Sequence, residues 1–290
     1  MPHSTIRNLC SAVASMLLIS GALAEPQTVY FGSTDGSTQL VGYLYRPQTA
    51  GAHPAIVLLH GRGGLYSSND NAGCTDVSPG IASSCNAATL SKRHVMWGEY
   101  WSTRGYLALL PDSFGPRSKA HGFGRFTHDD PDRADVNEKT VRPLDAEGAL
   151  AWLRGRNDVI GSRIFLQGWS NGGSTALNVM IRQGSTGGYR GALVFYPGCG
   201  PKALLSPVVS TTAPLAMFLG AEDEEVSPTI CQQVAEQSRQ AGTGIDLMVY
   251  PGATHDFDYP IPRRQSVPAN QAALNDVLDR AIATVERWKN

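Results

Sequence analysis

The stretch Gly168-Trp169-Ser170-Asn171-Gly172 sets a serine between two glycines, where the apolar run "IFLQ" gives way to the helix-forming stretch 170–183. A serine hydroxyl is a weak nucleophile until a histidine takes its proton and a carboxylate orients that histidine. The G-x-S-x-G spacing suits a nucleophile on a tight strand-to-helix turn, because neighbouring backbone passes where side chains at 168 and 172 would sit. The N-terminus of the following helix favours negative charge developing beside the serine. The plainer use of Ser170 is as an N-cap, a common role of serine at a helix start. That reading demands nothing elsewhere in the chain, so the remaining residues discriminate.

Nucleophile turns of this kind are followed in chain order by the acid and then the histidine. The histidines are at 3, 53, 60, 94, 121, 128 and 255, and only His255, in "YPGATHDF", follows Ser170. Between them "FLGAEDEEVSP" offers Glu222, Asp223, Glu224 and Glu225. Asp223 is the expected orienting acid, having a short, stiff side chain ahead of a turn into a helix cap. Glu222 is the fallback, and the rest of the run reads as a solvated turn. A tetrahedral intermediate also needs donors for its oxyanion, usually the N–H after the nucleophile and one from the loop after an early strand. Those positions are Asn171 and, in "HGRGG" (60–64), Arg62. His60 stands in that glycine loop and reads as a structural histidine rather than as the base.

Positioning these residues requires a strand-helix alternation, and the pattern supplies one. "TVYFGS" (28–33) and "LVGYLYRP" (40–47) flank Thr34-Asp35-Gly36-Ser37 and predict an antiparallel hairpin at one sheet edge. Near-continuous apolar runs at 55–61, 106–113, 163–170, 191–198, 215–223 and 245–255 read as parallel strands buried on both faces. Helical stretches at 91–105, 138–156, 170–183, 228–242 and 270–290 separate or follow them, the last amphipathic through Ala273, Val277, Ile282 and Trp288. The fold class is α/β: a mostly parallel, doubly wound sheet with helices on both faces. Residues 65–90 and 113–137 fit neither period, and both follow strand ends, where open α/β sheets place ligands. Tyr66, Phe123, Arg125 and Phe126 in these loops are candidates for the rim of a pocket. Trp169 is a candidate wall residue, with packing between sheet and helix as the alternative. His121, His128, Asp129, Asp130 and Asp132 follow no strand or helix period, so no metal is expected.

Arg7 precedes an apolar run from Leu9 to Ala24 that ends in Ala22-Leu23-Ala24, the pattern of a secretory signal over 1–24. The run is interrupted by Ser11, Ser15, Ser20 and Gly21 and is short of the roughly 20 apolar residues a membrane span needs. Residues 25–290 then read as a single domain, periplasmic or secreted, with no membrane span after the signal. Without Cys10, the cysteines at 74, 85, 199 and 231 are even in number, as expected in an oxidising compartment. Three pairings are open, with free thiols as the alternative. Cys74–Cys85 within one polar loop and Cys199–Cys231 are preferred, and no CxxC spacing suggests metal. A net charge of -1 gives no reason to expect a nucleic-acid partner.

"HGRGG", "LLPDSFGPR", "GWSNGG", "LGAEDEEVSP" and "YPGATHDF" occur in an order and spacing that resemble the dienelactone hydrolase family of the α/β-hydrolases. The resemblance implies the α/β-hydrolase fold, no cofactor, Ser170, Asp223 and His255 as nucleophile, acid and base, and Arg62 and Asn171 as oxyanion donors. Founding members of that family carry a cysteine nucleophile and a glutamate after the first-loop histidine, where this chain has Ser170 and Gly61. Dienelactone itself is therefore not the expected substrate. The expected reaction is hydrolysis of a small-molecule carboxylic ester through an acyl-enzyme, with short acyl groups first because no long apolar lid is apparent. The alternatives are a peptidase, an acyltransferase, or a non-catalytic binding protein on the same scaffold.

Overall fold

The computed structural model describes residue 1, residues 25–185 and residues 187–289. The secretory signal expected over 1–24 thus lies, apart from Met1, outside the described residues. Eight strands form one sheet: β1 (Gln27–Gly32), β2 (Gln39–Tyr45), β3 (His53–Leu59), β4 (Leu107–Asp112), β5 (Val159–Trp169), β6 (Ala192–Phe195), β7 (Leu215–Gly220) and β8 (Ile245–Tyr250). Their order is β1-β2-β4-β3-β5-β6-β7-β8. The β1–β2 and β2–β4 pairs are antiparallel, and every pair from β4 through β3 to β8 is parallel. The hairpin stands at one edge as its turn chemistry predicts: both Asp35 oxygens are engaged, Oδ1 accepting the Ser37 and Thr38 N–H groups at 2.8 Å and Oδ2 the Thr38 hydroxyl at 2.6 Å.

The helices are α1 (Lys92–Ser102), α2 (Arg142–Arg154), α3 (Asn171–Gln183), α4 (Pro228–Gln240), the short α5 (Pro262–Gln265) and α6 (Pro268–Trp288). Successive strand residues face opposite ways, and the two sheet faces carry separate cores. Ala55, Val57 and Leu59 of β3 join Ala146 and Leu153 of α2, Met180 of α3 and Val234 of α4. Ile56 and Leu58 join Trp97 and Trp101 of α1 and Val277, Ala281 and Val285 of α6. Burial on both faces explains why the strands read as unbroken apolar runs rather than alternating ones.

Strand β6 is shorter than its apolar run, because Tyr196 turns to φ 34° and Pro197 cannot extend the ladder. The first long loop carries its own ties. Tyr66 and Leu90 form an isolated bridge, and Cys74 and Cys85 are joined by a disulfide within the first loop. A second disulfide joins Cys199 to Cys231 of α4. Among the described residues no helix is long and apolar enough to cross a membrane.

Candidate active site

The loops after β3, β5, β7 and β8 converge at the carboxyl ends of the parallel strands. Ser170 sits between β5 and α3 at φ 52°, ψ -117°, a backbone conformation that a side-chain-bearing residue adopts only when its surroundings impose it. Its side chain makes no capping hydrogen bond to α3, so the serine does not act as a side-chain N-cap. The turn is held by Ser170 N–H donating to Phe195 O at 3.0 Å and Ser174 N–H donating to Ser170 O at 3.0 Å. The flanking glycines are steric requirements. A Cβ on Gly168 would lie 2.2 Å from Gly172 O, and one on Gly172 would lie 2.1 Å from Leu59 O.

His255 stands after β8 with its side chain 2% exposed. Its Nδ1 lies 2.7 Å from Asp223 Oδ2. The other Asp223 oxygen accepts the N–H groups of Glu225 and Val226 at 2.8 and 2.9 Å, which only a short side chain at the head of that turn can do. Glu222, by contrast, is exposed. Burial opposes a charged imidazole, but the carboxylates of Asp256, Asp223 and Glu225 outweigh it and raise the His255 pKa above its ordinary value. Ser170 and His255 line one cavity of about 150 Å³ together with Arg62, Tyr66, Ser68, Arg93, His94 and Tyr259. Among the described residues no hydrogen bond joins the Ser170 hydroxyl to His255. Glu225 Oε2 is the group found 3.8 Å from His255 Nε2.

Glu225 was expected to lie in a solvated turn, and the structure corrects this. Its side chain is 7% exposed. Oε2 accepts Nε–H and Nη2–H of Arg62 at 3.1 and 2.8 Å. Arg125 Nε approaches Oε1 to 2.7 Å, close enough for an ion pair although Oε1 accepts no aligned hydrogen bond. Glu224 is likewise engaged: it accepts the His255 backbone N–H at 2.9 Å and Arg264 Nη1–H at 2.8 Å. Local spacing holds no signal for these roles, because Arg62 and Glu225 are 163 residues apart.

Arg62 lies in the turn after β3, where Gly64 N–H returns to Gly61 O at 3.2 Å, and its side chain also donates to Phe123 O at 2.9 Å. Asn171 opens α3, so its N–H is among the helix's first donors, which lack intrahelical partners. The fully buried Arg142 joins the two segments by donating to the Asn171 side chain and, at 2.7 Å, to His60 O. The His60 ring contacts Gly61 O through Nδ1 at 2.8 Å and accepts Ser113 N–H on Nε2 at 3.3 Å. With its pKa driven well down by burial and by Arg142, it is a neutral ring holding the loop.

The expected rim residues fall in different places. Tyr66 lines the cavity, though its hydroxyl is committed to Tyr43 and Asp112, both at 2.8 Å. Phe126 is exposed and borders a smaller adjoining cavity that also reaches Ser170 and Asn171. Phe123 lines neither cavity and packs edge-on against Phe114 at 5.5 Å. Trp169 is a correction: it is fully buried, away from the cavity wall, with Nε1–H donating to Asp258 Oδ2 at 2.8 Å. The same oxygen accepts Trp97 Nε1–H at 2.8 Å, and Oδ1 accepts the Tyr196 hydroxyl. Asp258 was not singled out from sequence; it ties the loop that carries His255 to Trp169, the last residue of the strand before Ser170.

Among the described residues, Glu225, His255 and Asp256 are the one group of three potential metal ligands with atoms within 4.8 Å of each other. Both carboxylates are already bonded to arginines, Arg62 and Arg93, whose charges oppose a cation there. In the 121–132 segment, Asp129 pairs with Lys202 and Asp132 with Lys119, each at 2.9 Å, while Asp130 accepts Asp132 N–H at 3.0 Å.

The dienelactone hydrolase family model matches residues 93–288, which take in α1 from its second residue, the Ser170 turn, Asp223 and His255. The chain belongs to the dienelactone hydrolase family. It is with that a hydrolase of esterase type acting on small molecules. A search of the curated proteins finds no match. Solved structures with the same fold include a protein from Klebsiella pneumoniae subsp. pneumoniae provisionally described as a dienelactone hydrolase, at TM-score 0.64 and 16% identity, covering 90% of this chain and 98% of that one. A dienelactone hydrolase-like promiscuous phosphotriesterase from metagenomic libraries aligns at TM-score 0.60 and 18% identity, over 88% of this chain and 95% of its own. The apo form of Thermogutta terrifontis esterase 2 aligns at TM-score 0.59 and 20% identity, over 93% and 98%.

Proposed function

We propose that this family member is an exported serine hydrolase that cleaves carboxylic esters of small molecules through an acyl-enzyme. Residues 25–290 form its one α/β-hydrolase domain, released from a signal over 1–24. In this reading Ser170 attacks the acyl carbon and His255 Nε2 takes the hydroxyl proton. Asp223 holds Nδ1 and stabilises the imidazolium, and the N–H groups of Arg62 and Asn171 receive the oxyanion. His255 returns its proton to the leaving alcohol. A water then repeats the sequence on the acyl-enzyme and releases the acid.

The observation that carries the reading is the Ser170 turn: a serine held at positive φ without a capping bond, sharing a cavity with a histidine whose far nitrogen is on a buried carboxylate. Catalytic hydrogen bonds are often long before substrate arrives, which accommodates the missing Ser170–His255 bond. The two disulfides support an oxidising compartment, and the Thermogutta esterase 2 and metagenomic phosphotriesterase neighbours support ester chemistry on this fold. A fluorophosphonate probe should label wild type and fail on Ser170→Ala; labelling that persists in the variant sinks the nucleophile assignment. Short-chain p-nitrophenyl esters should be turned over ahead of long-chain esters and peptide amides. Preference for amides would favour the peptidase reading.

A further inference from the structure

His94, the third residue of α1, lines the cavity that holds Ser170 and His255, and nothing in the proposed reaction uses it. The residue is only 3% exposed. Its Nδ1 lies 2.8 Å from Leu65 O and 2.9 Å from Ser91 Oγ. A carbonyl oxygen can only accept, so Nδ1 carries the proton and shares it between those two oxygens. Nε2 is then the unprotonated nitrogen, with a lone pair to offer. Burial and the neighbouring Arg93 drive the His94 pKa down to about 3, so the ring stays neutral over the working range. Nε2 nevertheless has no hydrogen-bond partner. Nε2 has almost no accessible surface of its own, so a ligand meets it only where the wall that His94 shares gives way slightly; an acceptor buried without a partner is costly, and is matched only by a group that brings a hydrogen.

We infer that His94 Nε2 is a specificity-determining acceptor for a hydroxyl carried by the substrate next to the scissile ester. The inference rests on the ester-hydrolase reading above and narrows its substrate class to short, hydroxyl-bearing esters. The rest of the wall agrees with this: a cavity of about 150 Å³ lined by Ser68, Ser91, Arg93 and Tyr259 offers polar groups and no long apolar trough. Sites built to bond a hydroxyl discriminate strongly against the analogue lacking it, because the site's own polar group is then stranded.

The test compares isosteric pairs that place the hydroxyl on either side of the ester: methyl glycolate against methyl propionate, and 2-hydroxyethyl acetate against propyl acetate. Wild type should favour the hydroxylated member of one pair by roughly ten- to hundred-fold in kcat/KM, and the pair that responds tells which side carries the hydroxyl. His94→Phe should bring the ratio to near unity. His94→Asn, whose amide N–H can still serve Leu65 O while offering no acceptor at the Nε2 position, should do the same. Because each ratio is taken within one protein, a partly folded variant still reports. In Ser170→Ala, the ¹⁵N shift of His94 Nε2 should move on titration with the favoured hydroxylated ester and stay put with its isostere. Turnover without preference in wild type, or a preference that survives both His94 variants, overturns the assignment. Absence of turnover with a responsive Nε2 would instead count against the hydrolase reading alone.

Discussion

Gly172→Ala is a one-carbon test of how the Ser170 turn is built. The added Cβ would meet Leu59 O at 2.1 Å and His60 O at 2.5 Å, both of them backbone atoms at the end of β3. No rotamer change relieves such a contact, so the start of α3 must retreat from β3 by about 1 Å to restore ordinary spacing. Overpacking of this kind costs roughly 1–3 kcal/mol in stability. The larger effect is on geometry, because the segments being separated carry Ser170 and Asn171 on one side and Gly61 and Arg62 on the other. A misplacement of about 1 Å at a reacting group is worth on the order of 10²-fold in rate. Gly173→Ala is the control: its Cβ meets Phe195 O and Pro197 Cβ at 3.2 Å, which a shift of a few tenths of an ångström relieves. The assay is kcat/KM on a short ester beside thermal unfolding and the rate of fluorophosphonate labelling. Gly172→Ala should lose about 10²-fold in kcat/KM and label slowly, with Gly173→Ala near wild type. Equal losses in the two variants, or a Gly172→Ala enzyme within about threefold of wild type, would refute the steric account.

Other perturbations reach different parts of the site. Asp223→Asn should lower kcat by about 10³–10⁴-fold with the fold intact, and a loss below tenfold would remove Asp223 from its role. Because His255 titrates above its ordinary value, the acid limb of kcat/KM should lie above about pH 6.5. Glu225→Gln, which removes one of the carboxylates raising it, should move that limb to lower pH; a limb that stays in place rejects the electrostatic role of Glu225. The same shift makes a contribution to stability that is fully present below the unfolded value and lost as pH rises through the folded one, so wild type should lose more stability across that window than His255→Gln. Reduction of the Cys74–Cys85 and Cys199–Cys231 bonds, which close loops of separation 11 and 32, should cost about 3 and about 4 kcal/mol in the chain-entropy picture, measurable by denaturant unfolding of Cys74→Ser and Cys199→Ser variants.

The sheet, its edge hairpin and the five longer helices were legible because their signals are local: apolar runs, turn residues and caps. That Ser170, Asp223 and His255 stand together at the strand ends was legible for a related reason. A serine between two obligatory glycines and a lone downstream histidine are readable one position at a time. The failures share the opposite character. Glu225 sits in an acidic run that looks like a solvated turn, and its burial depends on Arg62 and Arg125 brought in from distant loops. Trp169 reads equally well as cavity wall or packing, and the choice was made by Asp258, 89 residues away. His94 lies in an amphipathic helix where nothing marks it out; its free nitrogen is visible only once Leu65 and Ser91 have taken the other one.

Asp258 also gathers tryptophans into one place. Trp97 and Trp169 donate their indole N–H groups to one carboxylate oxygen, and Trp101 stacks on Trp97 with ring centroids 6.2 Å apart. Three of the five tryptophans are therefore gathered behind the turn that carries Ser170 and the loop that carries His255. Tryptophan emission should therefore respond when the segments carrying Ser170 and His255 come apart, a change that Trp152→Phe and Trp288→Phe would leave in place.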